Sequence, residues 1–198
     1  MAHYSKEQIA DLKNDLTITD RVCGFDMQFK TTWGLFSPKA IDDGSLMLLK
    51  YLEVQATDKC LDLGCGYGVL GLTMAKQAPQ GQTIMVDKDY LAVEYANKNA
   101  QLNQLPHASA RLSNGFSDVP ERHFDVIVSN IPAKVGNELL YIFLNDAYER
   151  LKPGGTFYVV TITGLRNFMK TGFKEVFGNY KKHKQGPAYT VASASKGP

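Results

Sequence analysis

Residues 60–71 are Cys60-Leu61-Asp62-Leu63-Gly64-Cys65-Gly66-Tyr67-Gly68-Val69-Leu70-Gly71, an apolar run that passes directly into alternating glycines. This pattern predicts a short strand over Lys59–Leu63, a tight turn, and a helix over Val69–Gln77. Glycine lets the backbone adopt positive φ and lets a ligand approach without meeting a Cβ atom, while the helix N-terminus offers free N–H groups. We therefore predict a ligand site at this turn, at the carboxyl end of a parallel strand.

On both sides of the turn, short apolar runs alternate with segments of helical period. The further strands are expected at Thr83–Val86, Ser109–Leu112, Phe124–Val128, Thr156–Ile162, Tyr180–Lys184 and Tyr189–Ala194, and the further helices at Ser45–Leu52, Tyr90–Leu102, Glu138–Leu151 and Leu165–Phe177. Strands that alternate with helices indicate parallel βαβ units with helices on both faces of the sheet. Because a short turn containing Gly186-Pro187 joins the last two strands, they should form an antiparallel hairpin. The predicted fold is α/β, with a doubly wound, mostly parallel seven-stranded sheet and an antiparallel C-terminal hairpin.

The whole chain, residues 1–198, is predicted to form one domain. Residues 1–52 are a lead-in segment that should be helical and aromatic in character. Ser5-Lys6-Glu7-Gln8 has the spacing of a capping box and predicts a short polar helix. A stretch rich in turn and aromatic residues follows from Asp20 to Asp43.

The composition is that of a globular protein, with 44% hydrophobic and 21% charged residues. The formal net charge of +2 permits nucleic-acid binding without requiring it. Between Arg166 and Lys184 there are six basic residues and one acid, Glu175. That basic stretch is either a phosphate-binding surface or a solvated face of a helix and hairpin.

Other sequence features exclude several classes of protein. The three cysteines form no CxxC pair, which disfavours a disulfide framework. No apolar run approaches the roughly 18 residues of a spanning helix, and the N-terminus lacks a secretory signal, so we expect a cytoplasmic protein without a membrane partner. The histidines, at 3, 107, 123 and 183, show no ligand spacing, and we expect no metal.

Two cofactors suit the glycine turn. Gly66-x-Gly68-x-x-Gly71 satisfies the dinucleotide fingerprint, so a nicotinamide oxidoreductase is one hypothesis. Asp62 favours the other, because its carboxylate would oppose a pyrophosphate but would attract the ammonium and sulfonium of S-adenosylmethionine. Asp87, after the second predicted strand, could bind the ribose hydroxyls of either cofactor.

The segment from Leu61 to Gly71 resembles the first motif of class I methyltransferases, specifically the small-domain family that includes ribosomal RNA guanine-N2 methyltransferases. Phe36-Ser37, Asp42 and Gly44-Ser45 are similar to that family's lead-in segment, and Lys152-Pro153-Gly154-Gly155 also fits. Asn130-Ile131-Pro132-Ala133 falls where the family has an Asn-Pro-Pro-aromatic motif, with Ile131 in place of the first proline and Ala133 in place of the aromatic residue. The resemblance implies a Rossmann-like methyltransferase fold.

The resemblance also implies the roles of single residues. Asn130 and Pro132 would lie beside the reacting amine, and Asn114 and Phe116 would contact the adenine. The full set of implied cofactor contacts is Phe36, Asp62, Gly64, Gly66, Gly68, Asp87, Asn114, Phe116 and Asn130. The implied cofactor is S-adenosylmethionine, with S-adenosylhomocysteine as product.

The sequence therefore predicts methyl transfer to an exocyclic amine of a guanine in ribosomal RNA, with the basic stretch Arg166–Lys184 as an RNA contact. Loss of the stacking aromatic at Ala133 keeps a second hypothesis open, a methyltransferase that acts on a small molecule or a protein. A third is a non-catalytic protein that binds the cofactor.

Overall fold

A computed structural model describes residues 4–198 and contains two sheets and six α-helices. The strands are β1 (Leu16–Val22), β2 (Phe25–Thr31), β3 (Lys59–Leu63), β4 (Gln82–Asp87), β5 (Ala108–Leu112), β6 (Phe124–Asn130), β7 (Leu151–Ile162), β8 (Lys181–Gln185) and β9 (Tyr189–Ser195). The helices are α1 (Lys6–Leu12), α2 (Asp43–Leu49), α3 (Val69–Gln77), α4 (Tyr90–Leu102), α5 (Asn137–Arg150) and α6 (Arg166–Phe177), and a 3-10 turn at Thr163–Leu165 precedes α6.

The main sheet has seven strands in the order β5-β4-β3-β6-β7-β9-β8. Strands β3 to β7 are parallel to one another, while β9 pairs antiparallel with both β7 and β8. This arrangement confirms the predicted mostly parallel sheet with an antiparallel C-terminal hairpin at one edge. The chain order reverses between β3 and β6, and in open α/β sheets such a switch point creates a crevice at the carboxyl ends of the strands.

Alternating side chains of the central strands pack into two separate cores. Cys60 on β3 and Val126 on β6 belong to one core, with apolar residues of α2, α3 and α4. Leu61 on β3 and Ile127 on β6 belong to the other, with residues of α5 and α6. Because successive side chains of a strand point to opposite faces, helices cover both faces of the sheet and leave its carboxyl edge free.

The lead-in segment differs from its prediction, because residues expected as an aromatic turn region form the hairpin β1–β2. Met27, Phe29 and Thr31 on β2 are fully buried and alternate with exposed residues, which is the period of a half-buried strand. Cys23 and Gly24 connect the strands, both with positive φ, at 50° and 87°. A two-residue connection with positive φ at both positions matches the twist of antiparallel strands.

Strand β7 also begins earlier than predicted, at Leu151 instead of Thr156. Leu151 pairs with Phe124, and the register then shifts before Val126 pairs with Thr156. The Lys152–Gly155 segment thus ends helix α5 as expected, but its backbone continues into the sheet as an irregular strand.

Candidate cofactor and substrate site

A cavity of about 470 Å³ lies at the carboxyl edge of the main sheet. The ends of all five parallel strands contribute to its wall. Asp87, Asn130 and Ile162 end β4, β6 and β7, and Gly64 and Asn114 follow β3 and β5. The cavity therefore lies where the reversal of strand order predicts a ligand site.

The glycine turn forms one wall of this cavity. Gly64 and Gly66 have φ of 75° and 54°, and a Cβ atom added at either would meet nothing within 4 Å, so the backbone itself faces open space. Gly68 does not line the cavity as the resemblance implied. It is the N-cap of α3 with φ of 98°, and its Cβ would lie 3.0 Å from the Leu72 side chain, so its role is to shape the turn.

The N–H groups of the three fingerprint glycines already have acceptors. Gly66 donates to the Asp87 carboxylate at 2.9 Å, Gly68 to the Cys65 carbonyl at 2.9 Å and Gly71 to the Asp62 carboxylate at 2.7 Å. The free donors that the sequence predicted at this turn are thus largely occupied, and two of their acceptors are acids. A pyrophosphate at this turn would meet two carboxylates in place of free N–H groups, which disfavours a dinucleotide.

Asp62 is a fully buried acid in the wall of the cavity. Its Oδ2 atom accepts the hydrogen bond from Gly71, whereas Oδ1 is buried without a partner among the described residues. Burial raises the pKa of this carboxyl from its usual 3.8 to about 7. The hydrogen bond from Gly71 lowers this pKa, whereas the nearby charge of Asp87 raises it further. An unpartnered buried carboxylate oxygen is costly, and a cationic donor in the cavity would satisfy it.

Asp87 lies at the end of β4 and lines the same cavity. Its Oδ2 atom accepts from the N–H of Gly66 and its Oδ1 atom from the N–H of Asp89 at 3.0 Å. A carboxylate offers about four acceptor positions, so two remain for a ligand. Asp87 therefore both fixes the glycine turn and keeps acceptors available to hydroxyl groups.

The two residues implied as adenine contacts differ in their positions. Asn114 lines the cavity, but Phe116 does not, because its ring is only 1% exposed and packs in the core. Phe143 of α5 lines the cavity instead and meets Phe116 edge-on, with ring centroids 6.4 Å apart. A Cβ atom on Gly115 would lie 2.8 Å from the Phe143 ring, so this glycine permits the aromatic residue to lie over the turn after β5.

Asn130 ends β6 and lines the cavity together with Pro132 and Ala133. Its side-chain Nδ2 donates two hydrogen bonds, to Asp42 Oδ2 at 2.8 Å and to Ser45 Oγ at 3.0 Å. The Asn130 amide oxygen accepts no hydrogen bond from the described residues. The amide is thus held by its nitrogen, and its oxygen remains available as an acceptor.

Tyr189 was not among the predicted site residues, and Asp42 and Ser45 were predicted only as parts of a motif. Asp42 is the N-cap of α2, and its Oδ1 atom accepts from the Tyr189 hydroxyl at 3.1 Å. The spacing of Asp42 and Ser45 is a capping signal that the sequence contains. Tyr189 follows Asp42 by 147 positions and carries no comparable signal.

The rim of the cavity contains an exposed aromatic side chain, Phe36, which is 67% exposed. The loop that carries it is tied to the glycine turn, because the Tyr67 hydroxyl lies within hydrogen-bonding distance of the Ser37 and Ala40 carbonyls, at 3.4 and 3.5 Å. Ser37 has φ of 48°, a left-handed conformation uncommon for serine. Trp33 is also exposed, at 60%, but does not line the cavity.

The described part of the chain contains no group of three or more His, Cys, Asp or Glu residues able to hold a metal ion. His3, one of the histidines considered above, lies outside the described residues. Within residues 4–198, no helix has the length and apolar character that crossing a membrane requires.

The open sheet with its switch-point cavity, the glycine turn and the two acids that hold it define a Rossmann-like methyltransferase fold. The chain matches the methyltransferase small domain family over residues 26–193 and belongs to that family. The resemblance found in the sequence is thereby confirmed.

Relatives and solved structures agree with this assignment. The chain is 34% identical to the ribosomal RNA small subunit methyltransferase C of Hamiltonella defensa, covering 86% of this chain and 51% of that protein. It is 31% identical to the uncharacterized protein YbxB of Bacillus subtilis, covering 80% of each. A 16S rRNA N2 guanine methyltransferase of T. thermophilus, solved with AdoMet and guanosine, superposes with a TM-score of 0.83 at 31% identity, over 92% of this chain and 50% of that one. The chain thus spans about half the length of the ribosomal RNA methyltransferases it matches.

Proposed function

We propose that this protein is an S-adenosylmethionine-dependent methyltransferase whose acceptor is an exocyclic amine of guanine in ribosomal RNA. The observation that carries the proposal is the Asn130 amide, held through its nitrogen with a free oxygen in the cavity that also contains the glycine turn and Asp62. The similarity to ribosomal RNA methyltransferases supports the acceptor class. We also propose that residues 1–198 form a single methyltransferase domain, of which residues 1–52 are a lead-in segment.

The acids and the turn fit the proposed cofactor. When bound, S-adenosylmethionine supplies a methyl group on a positively charged sulfur that leaves as a neutral thioether. In this proposal the orphaned oxygen of Asp62 holds the ammonium of the methionine part, and the open backbone at Gly64 and Gly66 gives the ligand room. Asp87 accepts hydrogen bonds from the ribose hydroxyls, while Asn114 and Phe143 lie at the adenine.

Asn130 acts on the acceptor amine. The lone pair of an exocyclic amine is delocalised into the base, so the nitrogen is a poor nucleophile in its planar form. A hydrogen bond from the amine to the Asn130 oxygen favours the pyramidal geometry that attack requires, and this bond strengthens toward the transition state. Alignment of the amine with the methyl group supplies the remainder of the catalysis. The methylated nitrogen is then positively charged and releases its proton to water, so the mechanism needs no strong base.

Calorimetry tests the cofactor assignment. The protein should bind S-adenosylmethionine and S-adenosylhomocysteine but not nicotinamide dinucleotides, because the N–H groups that would hold a pyrophosphate are occupied by carboxylates. Binding of a dinucleotide without binding of S-adenosylmethionine would overturn the assignment.

The acceptor class is tested with methyl-labelled S-adenosylmethionine and fractionated cellular RNA, protein and metabolites. Label should enter the RNA fraction. Label confined to protein or metabolites would replace the RNA proposal by the second hypothesis. The absence of label from every fraction, with cofactor bound, would favour a non-catalytic protein.

Replacing Asp87 with alanine should weaken cofactor binding by about 1.5–3 kcal/mol, the range for hydrogen bonds to a charged acceptor. It should also lower the stability of the fold, because two backbone N–H groups lose their acceptor. Asp87→Asn separates the effects, since its amide oxygen can still accept from Gly66 while the ribose loses a carboxylate. Calorimetry and thermal unfolding measure both quantities, and an unchanged dissociation constant in both variants would show that Asp87 does not bind the ribose.

Phe36 is proposed to stack on the target base, in place of the aromatic residue that Ala133 lacks. It is the exposed aromatic side chain of the cavity rim, whereas the Tyr189 hydroxyl is committed to Asp42. Stacking contributes about 1–3 kcal/mol per base, so Phe36→Ala should raise the KM for RNA by about 5- to 150-fold, and Phe36→Tyr should preserve it. Trp33→Ala is the matched control on the same loop. Equal effects of the alanine variants at 33 and 36 would contradict a specific role for Phe36.

The proposed path of the RNA follows the basic stretch of residues 166–184. Arg166, Lys170 and Lys174 are exposed, recur at four-residue spacing on one face of α6, and join no ion pair within residues 4–198. Arg166 follows the end of β7 closely, so this face begins near the cavity and leads away from it. Lys181, Lys182 and Lys184 are exposed on β8, the edge strand of the main sheet.

Changing Arg166, Lys170 and Lys174 together to glutamine should weaken RNA binding and flatten its salt dependence. For single-stranded nucleic acid, each lost phosphate contact makes the negative slope of log K against log salt shallower by about 0.7. The measurement is RNA affinity at several salt concentrations, with Lys6, Lys13 and Lys50 changed to glutamine as the control for net charge. An equal change of slope in both triple variants would show that the effect reflects overall charge and not this face.

A further inference from the structure

We propose that Asp42 is a positioning residue that fixes which end of the Asn130 amide faces the acceptor, with Ser45 and Tyr189 as its supports. This inference rests on the proposed function, because it assigns Asn130 an acceptor oxygen directed at the reacting amine. It adds three residues that lie outside the glycine turn and the Asn130–Ala133 segment. None of the three needs to touch the cofactor or the acceptor.

The carboxylate of Asp42 joins three separate parts of the fold. Its Oδ2 atom accepts from the backbone N–H of Ser45 at 3.0 Å and from Asn130 Nδ2 at 2.8 Å, and its Oδ1 atom accepts from the Tyr189 hydroxyl at 3.1 Å. These donors lie in α2, at the end of β6 and at the start of β9. Because both carboxylate oxygens are held, Asp42 is a fixed reference point for the Asn130 amide.

The charge of Asp42 determines the orientation of that amide. An asparagine side chain can rotate by half a turn and exchange its oxygen with its nitrogen at little steric cost. In the exchanged orientation the Asn130 oxygen would face the Asp42 carboxylate oxygen at hydrogen-bonding distance, and two acceptors would repel each other. The observed orientation instead gives Nδ2 two acceptors, Asp42 and Ser45. The Asn130 oxygen is therefore the end available in the cavity.

Gly44 leaves the space that this arrangement needs. A Cβ atom at position 44 would lie 2.8 Å from Asp42 Oδ2 and 3.1 Å from the ring of Tyr189. A side chain there would displace one or both of these groups. The Asp42-Gly44-Ser45 pattern, which the sequence offered only as a family-like lead-in, thus has a local physical reason.

The test exchanges the acid and the amide. In Asn130→Asp two carboxylates face each other, and the single-turnover rate of methyl transfer should fall by about 100-fold or more. Asp42→Asn alone should lower that rate by about tenfold at unchanged cofactor affinity, because a neutral amide oxygen accepts more weakly from Asn130 Nδ2 than the carboxylate does. The double variant no longer has two carboxylates facing each other, so its rate should exceed that of Asn130→Asp by about tenfold.

Asp43→Asn is the matched control. Asp43 is the exposed acid next to Asp42 in the chain, and this substitution removes one negative charge as Asp42→Asn does. Combined with Asn130→Asp it should restore nothing. Multiplied losses in the Asp42→Asn, Asn130→Asp double variant would overturn the inference, because they would mean that Asp42 only caps α2.

A second measurement is independent of methyl transfer and separates this inference from the proposed function. The side-chain amide protons of Asn130, observed by NMR in the protein without ligand, should be protected from exchange. Asp42→Asn should shift their resonances and lower that protection, while Asp43→Asn should change neither. Unchanged Asn130 resonances in Asp42→Asn would reject the inference even in an active enzyme. An inactive wild-type protein with the predicted resonance changes would reject the proposed function alone.

Discussion

Replacing Asn130 with alanine should lower the single-turnover rate of methyl transfer by about 100- to 1,000-fold, the range for losing one preorganised hydrogen-bonding group at a reacting centre. Affinity for S-adenosylmethionine should stay within about twofold, because the proposed contacts of the cofactor lie mainly at Asp62, Asp87 and the glycine turn. The variant should lower kcat more than it raises KM, because the hydrogen bond from the amine to the Asn130 oxygen strengthens as the amine becomes pyramidal.

Asn130→Ala also leaves Asp42 without one of its donors, so stability must be measured beside activity. Asn97→Ala is a control. The Asn97 side chain on α4 makes two hydrogen bonds to the backbone of Ala110 on β5, and neither residue lines the cavity. Near-normal turnover in Asn130→Ala would mean that Asn130 only ends the strand and caps the lead-in segment. The amine-directed mechanism would then be wrong.

Replacing Asp62 with asparagine should weaken S-adenosylmethionine binding by about 10- to 150-fold, equivalent to about 1.5–3 kcal/mol for hydrogen bonds to a charged group. The same change should stabilise the protein without ligand near neutral pH and above. A buried carboxylate with an orphaned oxygen is costly to the empty fold, whereas the asparagine oxygen can still accept from Gly71. Opposite effects on binding and stability are the signature of a group retained for ligand binding.

The pH dependence follows from the raised pKa of Asp62. Folding raises this pKa from 3.8 to about 7, so the folded protein keeps a proton that the unfolded chain has lost between these values. Stability should therefore fall as the pH rises through this window, and Asp62→Asn should reduce that fall. A cationic ligand at Oδ1 favours the charged carboxylate, so affinity should rise with pH across the same range.

Thermal unfolding and calorimetry at several pH values measure these effects. Asp118→Asn is a suitable control, because Asp118 is exposed and lies outside the cavity. Equal affinity of Asp62→Asn and the wild-type protein for S-adenosylmethionine would show that Asp62 serves only to hold Gly71.

The central strands of the main sheet, β3, β4 and β6, could be predicted because they are rich in apolar residues and end next to a glycine, an acid or an asparagine. Strand Lys59–Leu63 and helix Val69–Gln77 have the predicted bounds. The glycine turn between them defines the end of the strand and the start of the helix. The hairpin β1–β2 was missed, because Phe25 and Phe29 were grouped with the turn residues and the alternation through Met27 and Thr31 was overlooked. Its Cys23–Gly24 connection lacks the asparagine or aspartate that usually signals such a turn.

Within the candidate site, the sequence predicted the residues at the carboxyl ends of the strands and missed those that come from other elements. Asp62, Asp87, Asn114 and Asn130 line the cavity because strand ends must meet at one edge of the sheet. Phe143 and Tyr189 come from a helix face and an antiparallel strand whose docking has no local signal. Phe116 was expected at the cavity but lies in the core, because only the packing of α5 determines which aromatic ring covers the turn.

The most direct test of this account is the chemical identity of the methylated product. Ribosomal RNA is incubated with the protein and methyl-labelled S-adenosylmethionine and is then digested to nucleosides, which are separated and identified. Label is expected in guanosine methylated on its exocyclic amine, and much less label is expected with Asn130→Ala. Label on a ring nitrogen or on the ribose, at an undiminished rate in Asn130→Ala, would contradict it.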